Sequence, residues 1–521
     1  MNRFMTIRFS FFLTLCVALL TACAQPRTQV RGDAPYYILT AEEVFSSAYG
    51  AITDKYIDRV TPATLAMKGM RGLATIDPQL SVSREGRAIT LVSIHGKVAK
   101  YQAPAEDNAQ DWAILTAVLI EAGRKASRGL REASSEKIYK AVFDGALSGL
   151  DSFSRYAGAE TARKNRARRN GYGGVGVRLR KYSRVPRVMS VMPKTPAARA
   201  GVKPGDYITY VGDISVVGMS FKDVIDQLRG PVGSQIRLTL SRAGEPKPLI
   251  FAIKREHIIP NTVTYGFEDG VVILKVSGFN QNTAKTLKAK LMEAFDIYGY
   301  GIRGWVLDMR GNPGGLLKQS IKIADMFLEY GDIINTRGRH PNSNQHYEAD
   351  GDDLAEGLPL VVLMDGKSAS SAEVVAVALQ DQGRAVVIGT ASYGKGTVQT
   401  VIRLPNNGEI TLTWSRLIAP SGYAFHELGV LPSICTSGET DGEGLAVYDP
   451  EVRDKTSAAW GEWRAASLDD KFRRETLRAS CPPERRRNAV EVEVALRLLG
   501  DPALFERTLD LSSLTAEAGG P

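Results

Sequence analysis

Leu360-Val361-Val362-Leu363-Met364-Asp365-Gly366-Lys367-Ser368-Ala369-Ser370-Ser371-Ala372-Glu373 reads as a strand, a turn and the start of a helix. Five consecutive apolar residues mark a strand buried on both faces, because a half-solvated strand would alternate. The helix runs on from Ala372 to Gln380, and Ala385 to Ile388 is the next strand. Upstream the pattern repeats. Val271 to Val276 is a strand, Thr283 to Phe295 a helix, Gly304 to Met309 a second buried strand and Leu316 to Leu328 a helix. Thr397 to Leu404 and Ile410 to Leu417 flank Asn406-Asn407-Gly408 as a β-hairpin. Strands alternating with helices over residues 259–435 give an α/β layer structure.

The turn before Ala372 carries chemistry. Ser370, together with Lys395 in Ser392-Tyr393-Gly394-Lys395-Gly396-Thr397-Val398-Gln399, suggests nucleophilic catalysis with lysine as the base. A helix N-terminus presents free N–H groups to an oxyanion. The donors expected here are the N–H of Ser371 and one from Gly314 or Gly315, where glycine lets the chain approach a substrate. Lys395 and Gln399 are four apart at a strand entrance, so a period of two puts them on one face. The lysine must be neutral. An ordinary pKa of about 10.4 leaves well under 1% neutral at pH 7. Lowering it by about three units costs on the order of 4 kcal/mol and needs an apolar wall. Two bland readings compete. Ser370-Ser371-Ala372-Glu373 is a capping box, in which Glu373 serves as a cap and, on the catalytic reading, as a supporting residue that orders the site. Gly389 to Gly396 nearly spells a phosphate loop, but Gly396 stands where a magnesium-binding Ser or Thr is needed.

Residues 171–257 are β-rich, with Gly173-Gly174-Val175-Gly176 leading a strand, Pro196-Ala197-Ala198-Arg199-Ala200-Gly201-Val202-Lys203-Pro204-Gly205-Asp206 after it, and a helix from Ser220 to Arg229. This stretch resembles a PDZ domain of the bacterial protease type. The resemblance implies peptide binding by strand addition, with the N–H groups of Gly173, Gly174, Val175 and Gly176 open to a terminal carboxylate.

Asp308-Met309-Arg310-Gly311-Asn312-Pro313-Gly314-Gly315, the Ser-Ala-Ser-Ser-Ala-Glu segment, Gly394 to Gln399 and Pro420-Ser421-Gly422 then fall in order. Together with the PDZ stretch they resemble the carboxy-terminal processing (tail-specific) proteases over residues 140–435. The resemblance implies a spiral, crotonase/Clp-like α/β core with an inserted PDZ domain. It further implies Ser370 as nucleophile, Lys395 as base and Gln399 as its orienting residue; no His/Cys cluster has metal spacing, and no cofactor or metal is expected. Three serines compete (368, 370 and 371), and the family's spacing of 25 residues between Ser and Lys selects Ser370. Expected partners are proteins with exposed apolar C-termini. An adaptor and a homo-oligomer remain open, and a catalytically inactive PDZ scaffold is the alternative reading.

At the N-terminus, Arg3 and Arg8 precede the apolar run Phe11 to Leu20, a signal peptide over residues 1–22. Leu20-Thr21-Ala22-Cys23 resembles a lipobox, implying lipidation at Cys23 and a periplasmic protein anchored to the outer membrane. Ala22-Cys23-Ala24 also fits cleavage of a soluble secreted form. Cys435 and Cys481 then either pair in an oxidising compartment or stand apart. Residues 36–158 read as mainly helical with a small β insert, Thr40 and Glu43 suggest a capping box, and residues 436–521 read as a helical extension. The run Arg163 to Arg169 reads as a solvated linker without interleaved aromatics. A net charge of +9 spread over 521 residues does not call for nucleic acid.

Overall fold

The computed structural model describes residues 38–182, 184–439, 459–485 and 489–517. The signal segment and Cys23 lie outside the described residues. No described helix is long and apolar enough to cross a membrane.

The α/β core is a six-stranded sheet in the order 263–268, 271–276, 304–308, 360–364, 386–389, 434–435. Its first pair is antiparallel and the rest are parallel. The two apolar runs occupy the middle and are buried throughout. Their alternation divides two cores. Trp305, Leu307, Val362 and Met364 face helices 283–298, 317–325 and 371–381. Val306, Val361 and Leu363 face helices 490–500 and 502–517 of the C-terminal extension. The extension therefore covers one face of the six-stranded sheet, which explains why those strands are apolar on both sides.

Hairpin strands 397–403 and 409–418 form a second sheet with strands 332–337 and 345–348. Strand Arg155–Ala157 adds to it beside Glu409–Thr411. Leu404, Ile410 and Leu412 of the hairpin complete the core of the helical N-terminal region around Phe45, Trp112 and Phe143. In that region the first described helix spans Ile38–Lys55, so Thr40 lies inside it rather than at its cap.

Within the PDZ stretch, strand Val177–Tyr182 forms one end of a sheet, and helix Phe221–Leu228 belongs to the same unit. The basic run is not a free linker. It is a helix, Ala159–Asn170, whose Arg166 and Arg169 pair at 3.4 and 2.9 Å with Glu409, a fully buried carboxylate. On the PDZ side of the same helix, Glu160 pairs with Lys222 at 2.6 Å. Two of the basic residues are there because Glu409 needs cations to be buried.

Candidate active site

Asp365, Ser368, Asn312 and Glu373 build the site's frame. Asp365 follows the strand and folds the turn by accepting the N–H groups of Gly311, Lys367 and Ser368 at 2.9–3.0 Å. Ser368 is fully buried. Its Oγ donates to Met309 O at 2.8 Å and accepts the Asp365 N–H at 3.0 Å. That hydroxyl is committed to the frame. Asn312, also buried, donates to Val276 O at 2.8 Å and takes the Ala369 N–H on its backbone oxygen at 2.9 Å.

Ser370 emerges from this frame with φ 56° and ψ −117°, the left-handed side of the map that a β-carbon disfavours. It is half-buried, at the N-cap of helix Ser371–Asp381, whereas Ser371 and Ser368 are buried. The sharp bend leaves the N–H of Ser371 without a partner among the described residues. Gly314 lies against the bend at φ 92°. A Cβ there would sit 2.8 Å from Ser370 Cβ and 3.1 Å from Ser371 N. The Gly314 N–H donates to Asn312 Oδ1 at 2.9 Å. That N–H is therefore already committed to the Asn312 side chain. Gly315, at φ 154°, keeps its N–H without a partner among the described residues.

Glu373 joins the two chemical segments. Its side chain is fully buried and accepts from Ser370 N (2.6 Å), Gly394 N (2.6 Å), Lys395 N (2.9 Å) and Ser392 Oγ. Burial pushes its pKa up, and the four donors oppose the rise. The cap reading and the site reading thus fall on one residue. The C-terminal extension backs the same loop. Arg478 donates to Ser392 O at 3.0 Å and to Leu428 O, and buried Arg474 donates to Ala424 O at 2.8 Å. Cys435 and Cys481 form a disulfide close to the end of helix Lys471–Arg478.

Lys395 is half-buried, and its Nζ sits 5.1 Å from the centre of the Phe153 ring. Burial first, and the cation of Arg155 second, bring its pKa down from 10.5 to about 8, against the pull of Glu373 and Asp151. The apolar wall that the lysine needs includes a residue of the N-terminal region. Lys395 Nζ has no hydrogen-bond partner among the described residues. Gln399 does not reach it here. Its amide nitrogen donates to Thr397 Oγ1 at 2.8 Å and Thr413 Oγ1 at 3.5 Å. His426 is half-buried and packed edge-on against Phe153 at 5.8 Å.

In the PDZ unit a groove of about 230 Å³ is lined by Gly174, Val175, Gly176, Val177, Ile225 and Arg229, among others. The N–H groups of Val175 and Gly176 have no partner among the described residues. Gly173 is not among the residues that line the groove, and it pairs with His257 in a short two-stranded sheet. Arg229, which no sequence signal marked, stacks 4.2 Å over the Tyr172 ring at the groove's edge. Among the described residues Asp332, His346 and Glu348 are the one group of three with metal-ligand proximity. There His346 is paired with Glu348 at 2.6 Å and with Asn335 at 2.5 Å on an exposed strand pair.

Comparison with known proteins accords with this architecture. Residues 270–436 match peptidase family S41 and residues 187–242 match a PDZ domain. A carboxy-terminal-processing protease of Bartonella bacilliformis is 39% identical over 301 residues, covering 57% of this chain and 69% of that one. A probable CtpA-like serine protease of Staphylococcus epidermidis is 31% identical over 315 residues, covering 59% of this chain and 62% of that one. Among solved structures, the photosystem II D1 C-terminal processing protease is 24% identical, covers 75% of this chain and 92% of that one, and has a TM-score of 0.39. Sequence and fold together define a serine-type protease carrying a PDZ domain. The chain belongs to peptidase family S41, among the carboxy-terminal-processing proteases.

Proposed function

We propose that the protein is a periplasmic endopeptidase that captures exposed C-terminal tails in its PDZ groove and cleaves them at Ser370. The observation that carries this reading is the Glu373 carboxylate, which binds the backbone of Ser370 and of Lys395 together. A cap alone has no use for the second segment. The open edge of strand Val177–Tyr182 takes the tail as an added strand, and the N–H groups of Val175 and Gly176 take its carboxylate. Apolar tail ends suit a groove lined by Val177, Leu179, Ile225 and Leu228.

The chemistry is acyl transfer. Neutral Lys395 accepts the Ser370 Oγ proton as Oγ attacks the scissile carbonyl carbon. The oxyanion forms against the N–H groups of Ser371 and Gly315. Lys395 returns the proton to the leaving amine as the C–N bond breaks. Water then attacks the acyl carbon, giving a proton to Lys395, which passes it to Ser370 Oγ as the C–Oγ bond breaks. Gln399 orients the lysine during this cycle. The parallel sheet with its helices supports assigning the core to the spiral crotonase/Clp-like type. The signal-like N-terminus and the disulfide support an oxidising compartment, with Cys23 as the lipid-bearing residue.

The test is tail dependence. Paired unfolded substrates ending in apolar residues, one with a free carboxylate and one amidated, are incubated with the enzyme. Faster cleavage of the free acid is expected. Equal rates would remove the PDZ capture step, and no cleavage of either would favour a peptide-binding scaffold.

A further inference from the structure

Phe153, whose ring covers the Lys395 ammonium, does not belong to the α/β core. It stands in the segment 151–157 that closes the N-terminal region, outside both matched family stretches. That segment is fastened to the catalytic hairpin. Strand Arg155–Ala157 pairs with Glu409–Thr411, and Ser154 Oγ accepts the Thr413 N–H at 3.1 Å. Thr413 Oγ1 donates to Asp151 Oδ1 at 3.0 Å. Asp151 is held in turn by the N–H groups of Phe153 at 2.7 Å and Ser154 at 2.9 Å. The guanidinium of Arg155 donates to Phe153 O at 3.1 Å, which fixes the bend that carries the ring.

These contacts have a consequence for Gln399. A threonine hydroxyl has one proton, and here it goes to Asp151. The Thr413 oxygen is left as an acceptor, and Gln399 Nε2 lies 3.5 Å from it. With Thr397 Oγ1 at 2.8 Å and Thr397 O at 3.3 Å, all three contacts of the amide are made by its nitrogen, which leaves the oxygen uncommitted.

We propose that the turn Asp151–Arg155 is a positioning element of the proteolytic site: Phe153 shields Lys395 from water, and Asp151 fixes the Gln399 amide through Thr413. It rests on the Ser/Lys reading above. Phe153 acts through Lys395, and Asp151 acts through Thr413 and Gln399. The groups around Lys395 are Phe153 and Arg155, Asp151, Glu373 across the loop, and His426 behind Phe153. Burial, the largest effect, and Arg155 disfavour the ammonium, while Asp151, Glu373 and the π-face of Phe153 favour it. The N-terminal region is thereby part of the catalytic apparatus.

The test is the pH dependence of kcat/KM for the full chain, read with a fluorogenic peptide ending in apolar residues and a free carboxylate. Phe153→Ala admits water to Lys395. Its acid limb is expected to rise by about one pH unit, with kcat/KM about tenfold lower at pH 7 and recovered at alkaline pH. Phe153→Tyr should keep the wild-type limb. Thr413→Val is expected to lower kcat with KM changed by less than about twofold, and Thr413→Ser to restore it. A limb that does not move in Phe153→Ala overturns the shielding role. Should that variant fail to fold, Phe153→Leu takes its place, with a smaller shift in the same direction expected and no shift overturning the role. Full kcat in Thr413→Val overturns the role of Asp151. Ser370→Ala is measured alongside: activity in that variant sinks the Ser/Lys reading itself, whereas its inactivity with an unmoved limb sinks only the positioning element.

Discussion

Glu373 accepts the backbone N–H of Ser370 at 2.6 Å and that of Lys395 at 2.9 Å on the same carboxylate oxygen. The proposed nucleophile and base are thus fixed to one buried atom, from segments that follow different strands. The strained backbone of Ser370 is held by this bond and by the helix that begins at Ser371.

Glu373→Gln tests the link. An amide keeps the shape but turns N–H groups toward N–H groups at one of its two ends. Loss of a charged acceptor with four donors is expected to cost about 2–4 kcal/mol of stability. Cleavage should fall further than that loss of folded protein explains, because the Ser370 and Lys395 loops separate. Chemical denaturation and activity on the same samples measure both. Wild-type kcat in Glu373→Gln would mean that the link has no part in catalysis.

Lys395 gives a stability signature that is independent of activity. Its folded pKa of about 8 lies below the ordinary 10.5, so the unfolded chain holds the proton more tightly. Between those two values the unfolded state binds more protons, and folding stability contributed by this group rises with pH. Lys395→Met removes the buried charge. It should stabilise the protein by about 1–3 kcal/mol at pH 6–7, with the gain shrinking as pH rises from about 8 toward 10.5. Denaturation at pH 6.5 and pH 10 measures the difference. A gain that grows with pH would contradict a depressed lysine.

The C-terminal brace should be redox-sensitive. Cys435–Cys481 closes a 46-residue separation and anchors the arginine helix behind Ser392. Cys481→Ser is expected to destabilise the protein by about 3 kcal/mol. A thiol reductant should lower the melting temperature of the wild type and leave that of Cys481→Ser unchanged. Equal responses of both proteins would show that the disulfide is not what the reductant acts on.

The apolar runs at Gly304 and Leu360 announce the buried sheet because their composition is a direct consequence of having cores on both faces. Ser370 and Lys395 are visible for a similar reason: small residues crowd wherever backbone must approach substrate. What covers the second face was not visible, since Val490, Val494 and Leu498 have ordinary amphipathic spacing and name no partner. Which of two neighbouring glycine N–H groups is left free also needed geometry. Gly314 and Gly315 are alike in sequence, and only the Asn312 side chain separates them. Phe153 and Asp151 carry no local signal at all. Their importance comes from a strand pairing across more than 250 residues, Arg155 with Thr411. The basic helix misled for the same reason, as its charges are explained by Glu409, far along the chain.

The most direct test of the central claim is the rate at which Ser370→Ala and Ser371→Ala cleave an unfolded protein with an apolar free C-terminus, each compared with wild type. The account predicts that Ser370→Ala is inactive while folded, and that Ser371→Ala, whose backbone N–H remains in place, retains activity. A Ser370→Ala protein that cleaves at the wild-type rate would contradict it.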